Sequence, residues 1–303
     1  MDYLMIKASI IAEFLAENLA GNDIEINEVA SVDKLKNNAI AFSKKGFTNS
    51  TITALIIVPK NFVIPNDSSL SYIKVDNPRL SFAKIVTNFF QEKRKINIHE
   101  TVIIGNNTEI APTVSIGANC VIGNNVRIKA NSVLNNNIII ADNTEIGENC
   151  YIKSGSIIGE DGFGFDFDGD IPIRIPHIGK VVIHDNVEIG SKNTIAKGTI
   201  NDTIIFDNVK IDDQVHIAHN CEIGKGTIIT ACAEISGSVR IGMNCWIGPN
   251  CSIIQKVVIG DNVTIGIGTV ITDNIANNKK IMGLESLELK PLIRLKKRIN
   301  YGG

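Results

Sequence analysis

"IFDNVKIDDQVHIAHNCEIGKGTIITACAEISGSVRIGMNCWIGPNCSIIQKVVIGDNVTIGIGTVI", residues 205–271, places an isoleucine at every sixth position without a break: Ile205, Ile211, Ile217, Ile223, Ile229, Ile235, Ile241, Ile247, Ile253, Ile259, Ile265 and Ile271. The same period runs earlier through Ile98, Ile104, Ile110, Ile116, Ile122, Ile128, Leu134, Ile140, Ile146, Ile152 and Ile158, and briefly through Ile183, Ile189 and Ile195 before it slips. Neither a continuous strand, which alternates every two residues, nor an α-helix, which repeats every 3.6, singles out every sixth residue. A stack of triangular coils does. Three hexads close one coil, and the chain then lies directly above itself.

Two positions before the aliphatic residue stands a small one, as in Val114, Cys120, Val126, Val209, Val215, Cys221, Val239, Cys245, Cys251, Val257 and Val263. The alternation of a strand turns it inward as well. Five of the six cysteines (Cys120, Cys150, Cys221, Cys245, Cys251) occupy that slot, and only Cys232 is out of register. They read as core filler, because no paired C-x-x-C spacing marks a zinc site or a disulfide framework. Glycines such as Gly224 and Gly242 follow the aliphatic residue where each coil turns, and nearby Asn residues suit left-handed turn conformations. The expected fold is mainly β: a left-handed parallel β-helix of hexapeptide repeats, with a small N-terminal α/β domain and a short C-terminal helix.

The period is missing before about Ile98, so residues 1–97 are expected to form the α/β domain, with strands at "TALIIVP" and "SYIKVDNP" and an amphipathic helix at "RLSFAKIVTNFFQEK". The β-helix should span 98–275. Residues 276–303 should cap it with a helix rich in Lys and Arg, including Lys290, Arg294, Lys296, Lys297 and Arg298. The repeat is interrupted at 159–180 by "GEDGFGFDFDGDIPIRIPHIGK", whose turn residues and phenylalanines cannot follow a coil and must loop out. Loops ejected from a rigid solenoid often wall a binding site, and Phe163, Phe165 and Phe167 need a ligand or a neighbouring subunit to cover them.

The charge is nearly balanced, with 30 Lys plus Arg against 32 Asp plus Glu, which argues against binding nucleic acid through a basic surface. No run reaches the ~18 apolar residues of a membrane span, and the N-terminus carries acids where a signal peptide carries basic residues. A cytoplasmic protein is expected. Of the five histidines (His99, His177, His184, His216, His219), His219 follows the inward Ile217 by two positions and should project from a corner, where a histidine serves well as a general base. Gly237 lies three hexads further on, at the same corner one coil away. A base and an exposed peptide N–H at one coil spacing are the two parts acyl transfer needs, one to deprotonate the nucleophile and one to hold the oxyanion.

Several stretches together carry a family resemblance: "VDNPRLSFAKI", "GEDGFGF", "GKVVIHDNVEIG", "NDTIIFDNVKIDDQVHIAHNCEIG" and "ISGSVRIG". The chain resembles the UDP-3-O-acylglucosamine N-acyltransferases of lipid A biosynthesis from about Asp23 to Gly283. The resemblance implies that His219 is the catalytic base and Gly237 the oxyanion donor, and that Phe42 stacks on a nucleotide base. In "AFSKKGFTN", Lys45 and Phe47 stand where the family has Asn and Tyr. The resemblance adds Asp212 and His216 of "IDDQVHIAHN", and Phe163 and Phe165 of the ejected loop, as substrate contacts; Lys256 stands where the family has a second histidine.

It further implies a homotrimer with its sites between neighbouring β-helices. No metal and no tightly bound cofactor are expected, only an acyl thioester co-substrate, on acyl carrier protein or on coenzyme A, and a nucleotide-linked amino sugar. The ending "IGIGTVITDNIANNKKIMG" resembles instead the last coils of acetyl-CoA-dependent sugar acetyltransferases, which keeps a short-chain, coenzyme A-dependent N-acyltransferase as the alternative. A zinc lyase on this fold needs three converging histidines, whereas His216 and His219 fall on opposite strand faces or corners with no third partner in register. A flat ice-binding or scaffold surface needs a regular outward ladder, and the outward positions are irregular.

Overall fold

The computed structural model describes residues 5–49, 51–92 and 96–283, and the expected C-terminal helix with its basic residues lies outside them. The chain divides into two compact units, 1–94 and 95–303.

The second unit is a left-handed parallel β-helix. Strands of two or three residues stack into three parallel sheets of nine, nine and eight strands, one for each side of the triangle. We call them faces: the first runs from Ser115–Ile116 to Lys280–Ile281, the second from Ile103–Ile104 to Val270–Ile271, and the third from Glu109–Ile110 to Val258–Ile259. The regular register is three hexads, as in Ile217 over Ile235 and Ile235 over Ile253. From Ile116 to Ile271 every residue of the isoleucine series is at most 5% exposed, each burial contributing on the order of 2 kcal/mol. The first coil departs from the expectation that the whole series points into a core. Ile98 is 42% and Ile104 44% exposed, since a terminal coil has a neighbour on one side only.

Glycine and asparagine divide the corner between them. A Cβ on Gly224 would stand 2.5 Å from the backbone of Gly242, so glycine is required there by the close approach of the next coil. The left-handed seat goes mainly to Asn, as at Asn125 (φ 56°) and Asn220 (φ 59°). Five cysteines are buried in the small slot, where burial raises their thiol pKa, that of Cys221 to about 12; Cys232 is exposed in a left-handed seat (φ 61°).

Two surplus segments break the register, and both leave the edge between the second and third faces. Between Ile158 and Val181 the chain departs into an antiparallel hairpin, Phe165–Asp168 against Ile171–Arg174, turning at Gly169. The pairing of Val181 over Thr203 is longer than three hexads and expels a shorter loop after Ile195.

The first unit holds a five-stranded sheet in the order Leu19–Ala20, Ser71–Val75, Leu55–Pro59, Ala39–Phe42, Glu28–Val29, parallel except for the first strand. Its helix Pro78–Ile85 starts at proline, with the Asn77 side chain accepting from the Leu80 N–H at 3.1 Å. It passes into a π-helical turn, Val86–Phe90.

Candidate active site

Both surplus segments of the β-helix leave it at the edge between the second and third faces. Ile158, Ile195, Ile217, Ile235 and Ile253 stack on the second face. The chain therefore crosses this edge, coil by coil, through the hairpin, the short loop, His219–Asn220, Gly237–Ser238 and Gln255–Lys256.

His219 is half-buried, and its orientation is fixed by its neighbour. The Nδ1 atom lies 2.9 Å from Oδ1 of Asn220. That oxygen also accepts from the Thr199 backbone N–H at 3.1 Å and the Thr199 hydroxyl at 2.9 Å, while Asn220 Nδ2 donates to the Asn201 carbonyl at 2.7 Å. The backbone donor settles which end of the amide is oxygen, so Nδ1 of a neutral His219 carries the hydrogen and Nε2 keeps the lone pair. The short loop thus sets the tautomer of the candidate base. It is tied in turn to the root of the hairpin: Lys197 N–H donates to the Glu160 carbonyl at 3.0 Å, Ile178 N–H to the Thr199 carbonyl at 2.7 Å, and Lys197 Nζ pairs with Asp161 at 2.8 Å. That lysine holds the Asp161 carboxyl below the usual carboxylate range.

Gly237 stands against the imidazole. A Cβ there would lie 2.7 Å from both Cε1 and Nε2 of His219, too close for any side chain. At other corners the equivalent N–H donates to an Asn or Asp side chain one coil on, as from Ala118 to Asn136 at 2.8 Å and from Met243 to Asp261 at 2.7 Å. One coil on from Gly237 stands Gln255, and among the described residues nothing accepts the Gly237 N–H. A free peptide donor beside a lone-pair nitrogen is an arrangement suited to acyl transfer.

Beside this pair opens a cleft of 440 Å³ whose wall includes Asn201, Asp202, Ser238, Arg240 and Lys256. Phe163 and Phe165 stand on the hairpin, their rings 4.9 Å apart; Phe163 is 86% exposed, and Arg174 lies over the Phe165 ring at 4.8 Å. The structure therefore brings His219, Gly237, Lys256, Phe163 and Phe165 to one edge. Asp212 is not among them. It stands a hexad earlier, at the edge between the first and second faces, and lines a separate cleft with Lys153 and Lys210. His216 points outward from the second face, with Nε2 3.8 Å from Glu234.

Phe42, Lys45 and Phe47 lie in the N-terminal unit. Phe42 packs on Phe82 at 5.0 Å in one apolar cluster of the sheet, and Phe47 belongs to the other. Lys45 is exposed on a turn closed by a Ser43 hydroxyl bond to the Gly46 carbonyl. Sequence reasoning missed Asn220, Thr199 and His177. The surplus residues between Ile195 and Thr203 were the available signal for Thr199.

Among the described residues no group of three or more His, Cys, Asp or Glu is placed to hold a metal ion, and no helix is long and apolar enough to cross a membrane.

Known proteins of the same construction narrow the reading. Residues 202–237 and 238–273 match the bacterial transferase hexapeptide (six repeats) model, and residues 93–162 match that of the GMPPB C-terminal domain. Over 241 residues the chain is 33% identical to the UDP-3-O-acylglucosamine N-acyltransferase of Coxiella burnetii, covering 71% of this chain and 69% of that one. Against the enzyme of the same name from Dechloromonas aromatica it is 48% identical over 77 residues, 25% of this chain and 22% of that one, so this match spans about a fifth of its relative's length. A solved UDP-N-acetylglucosamine O-acyltransferase from Moraxella catarrhalis superposes with a TM-score of 0.56 at 28% identity, over 67% of this chain and 80% of that one. The corresponding figures for LpxA from Acinetobacter baumannii are 0.57 and 26%, over 65% and 77%. With the Coxiella relative matched over more than two thirds of both chains, the chain belongs to the UDP-3-O-acylglucosamine N-acyltransferase family.

Proposed function

We propose that this protein moves an acyl group from a thioester to the amine of a nucleotide-linked amino sugar, with UDP-3-O-acylglucosamine of lipid A biosynthesis as the acceptor. The observation that carries the reading is the pairing of His219, its Nδ1 held by Asn220, with the Gly237 N–H one coil away, which nothing among the described residues accepts. The amine nitrogen attacks the thioester carbonyl carbon, and a C–N bond forms while the carbonyl π electrons move to oxygen. The Gly237 N–H donates to that oxyanion. His219 Nε2 takes the proton that the nitrogen must lose and returns it to the departing sulfur as the C–S bond breaks, leaving amide and free thiol. General base catalysis of this kind contributes roughly 10²–10⁴-fold and a well-placed oxyanion donor about 10²–10³-fold.

Acyl carrier protein is the donor we favour, and the basic residues Lys290, Arg294, Lys296, Lys297 and Arg298 supply charge for an acidic partner. The coenzyme A reading has an observation of its own, since Arg240 and the exposed Lys256 line the cleft beside His219 and offer cations to phosphates. We further infer a cytoplasmic homotrimer with Phe163 on the wall of each site, and a nucleotide held by the first unit through Phe42, Lys45 and Phe47. Asp212 and His216 are proposed as substrate contacts of such an assembly.

The test is a coupled assay of acyl carrier protein and coenzyme A thioesters against UDP- and dTDP-amino sugars. Turnover of a carrier-borne acyl group with the UDP sugar supports the reading; turnover with acetyl-coenzyme A alone selects the short-chain alternative; none with any pair refutes both.

A further inference from the structure

His177 is the residue at this edge for which the reaction described above has no use. It lies at the end of the hairpin segment, is 5% exposed, and sets its ring edge-on to His219 with centroids 5.4 Å apart and planes at 76°. Its Nδ1 is 3.0 Å from the Ile175 carbonyl, an oxygen that can only accept, so the hydrogen of the neutral ring sits on Nδ1. Nε2 is then a bare lone pair, and it is buried with no hydrogen-bond partner among the described residues. A buried acceptor without a donor is costly, and such groups concentrate where a site needs them.

The lone pair has a definite surrounding. A Cβ built on Gly162 would stand 2.9 Å from His177 Nε2 and 3.1 Å from both Cβ and Cδ2 of His219. Nε2 and that edge of the His219 ring therefore flank one point, which only a glycine leaves open. Gly164 covers the ring from the hairpin, where a Cβ would be 3.2 Å from Cε1. Asn220 holds His219 at Nδ1, Gly237 abuts Cε1 and Nε2, and His177 with Gly162 closes the remaining edge. An imidazole is strongly dipolar, negative at the bare nitrogen, and here the positive end is taken up by the Ile175 carbonyl.

We propose that His177 is a positioning residue: it wedges the His219 ring in place and turns the negative end of a neutral imidazole toward it, stabilising the imidazolium that forms when His219 takes a proton. Fixed dipoles aimed at developing charge act most strongly where water is excluded, as it is at Nε2. The charged groups facing His177 are His219, Asp161 and Lys197, the last two paired with each other at 2.8 Å. Burial, the largest influence, holds the His177 imidazole below its ordinary range, and the neighbouring His219 acts in the same direction. The proposal rests on His219 being the base.

The experiment uses the full-length protein with ¹³C-labelled histidine rings, following the His219 signal through a pH titration alongside the pH–rate profile. In His177→Phe, which keeps a planar ring and removes the lone pair, the His219 titration midpoint and the acidic limb of kcat both move to lower pH. Turnover on the plateau falls roughly threefold to tenfold with KM unchanged. His177→Gln, whose amide oxygen can stand where the lone pair stood, restores both, and His177→Met serves should phenylalanine not fit. A His219 midpoint that stays put in a folded variant, whether or not turnover falls, overturns the proposal, because a packing role alone would lower the plateau without moving the limb. Failure of the base assignment reads out separately: His219→Ala would retain turnover while the ring titration still reported on the contact.

Discussion

Adding one carbon at Gly237 perturbs the site with little else disturbed. The new Cβ of Gly237→Ala would lie 2.7 Å from Cε1 and Nε2 of His219. Carbon contacts are comfortable only from about 3.5 Å, so the ring must retreat by roughly 0.8 Å. It has no slack on its far side, because Nδ1 is held at 2.9 Å by Asn220, which is locked by Thr199 and Asn201. Moving the ring therefore breaks or bends that bond, a loss of about 0.5–1.5 kcal/mol, and displaces the base by nearly the ~1 Å that costs about 10²-fold in rate. We expect kcat to fall roughly 30- to 100-fold with KM little changed. Stability should fall by no more than that lost bond, about 0.5–1.5 kcal/mol, since Gly237 does not occupy the left-handed region and the backbone adds no strain. Steady-state kinetics on the purified variant with a circular-dichroism melt tests this. A folded Gly237→Ala with kcat within about threefold of wild type would refute the geometry.

Other outcomes follow from the same structure. Ile217→Asp places a charge at a fully buried position of the stack and should unfold or aggregate the protein; a soluble variant with a native melting temperature would show the register to be wrong. Asn193→Leu strips the acceptor of the Val215 N–H (2.6 Å) and the donor to the Asp212 carbonyl (3.0 Å), a loss of about 2–4 kcal/mol readable by chemical denaturation. Acid should reveal His177: the unfolded chain binds a proton near pH 6.5 that the folded chain resists, so wild-type stability falls as pH drops below about 6.5, and His177→Phe should lose less over the same range in parallel melts. Lys153 and Asp213 pair at 2.7 Å with both side chains more than a third exposed, so Lys153→Ala should cost under about 1 kcal/mol at pH 7, and that cost should begin to shrink only as pH falls below the ordinary carboxylate value of 3.8 and vanish once the depressed Asp213 carboxyl is protonated at still lower pH.

The β-helix was legible because its rule is stated once per hexad: one isoleucine slot, one small slot and one turn, each copy agreeing with its neighbours. Counting three hexads from His219 to Gly237 worked for the same reason, as register is arithmetic wherever coils are regular. It failed where residues were in surplus. His177 lies far before His219 in the chain, and no count predicts their contact, because the hairpin between Ile158 and Val181 has no register to count along. Thr199 and Asn201 were hidden in the surplus that lengthens the step from Val181 to Thr203 beyond three hexads. The first coil was over-read, since Ile98 and Ile104 carry the core residue without a neighbour on both sides to make a core. In the N-terminal unit, Phe42 and Phe47 were legible as aromatics but not as belonging to different apolar clusters, which depends on where each chain segment leaves the sheet.

The central claim is that His219 is the general base of acyl transfer, and the most direct measurement is the turnover of His219→Ala with an acyl thioester and a nucleotide amino sugar, alongside its melting curve. The account predicts an unchanged melt, because the imidazole is half-buried at a corner and outside the isoleucine core, together with a fall in kcat of roughly 10²–10⁴-fold. A folded variant that keeps near-native turnover would contradict it.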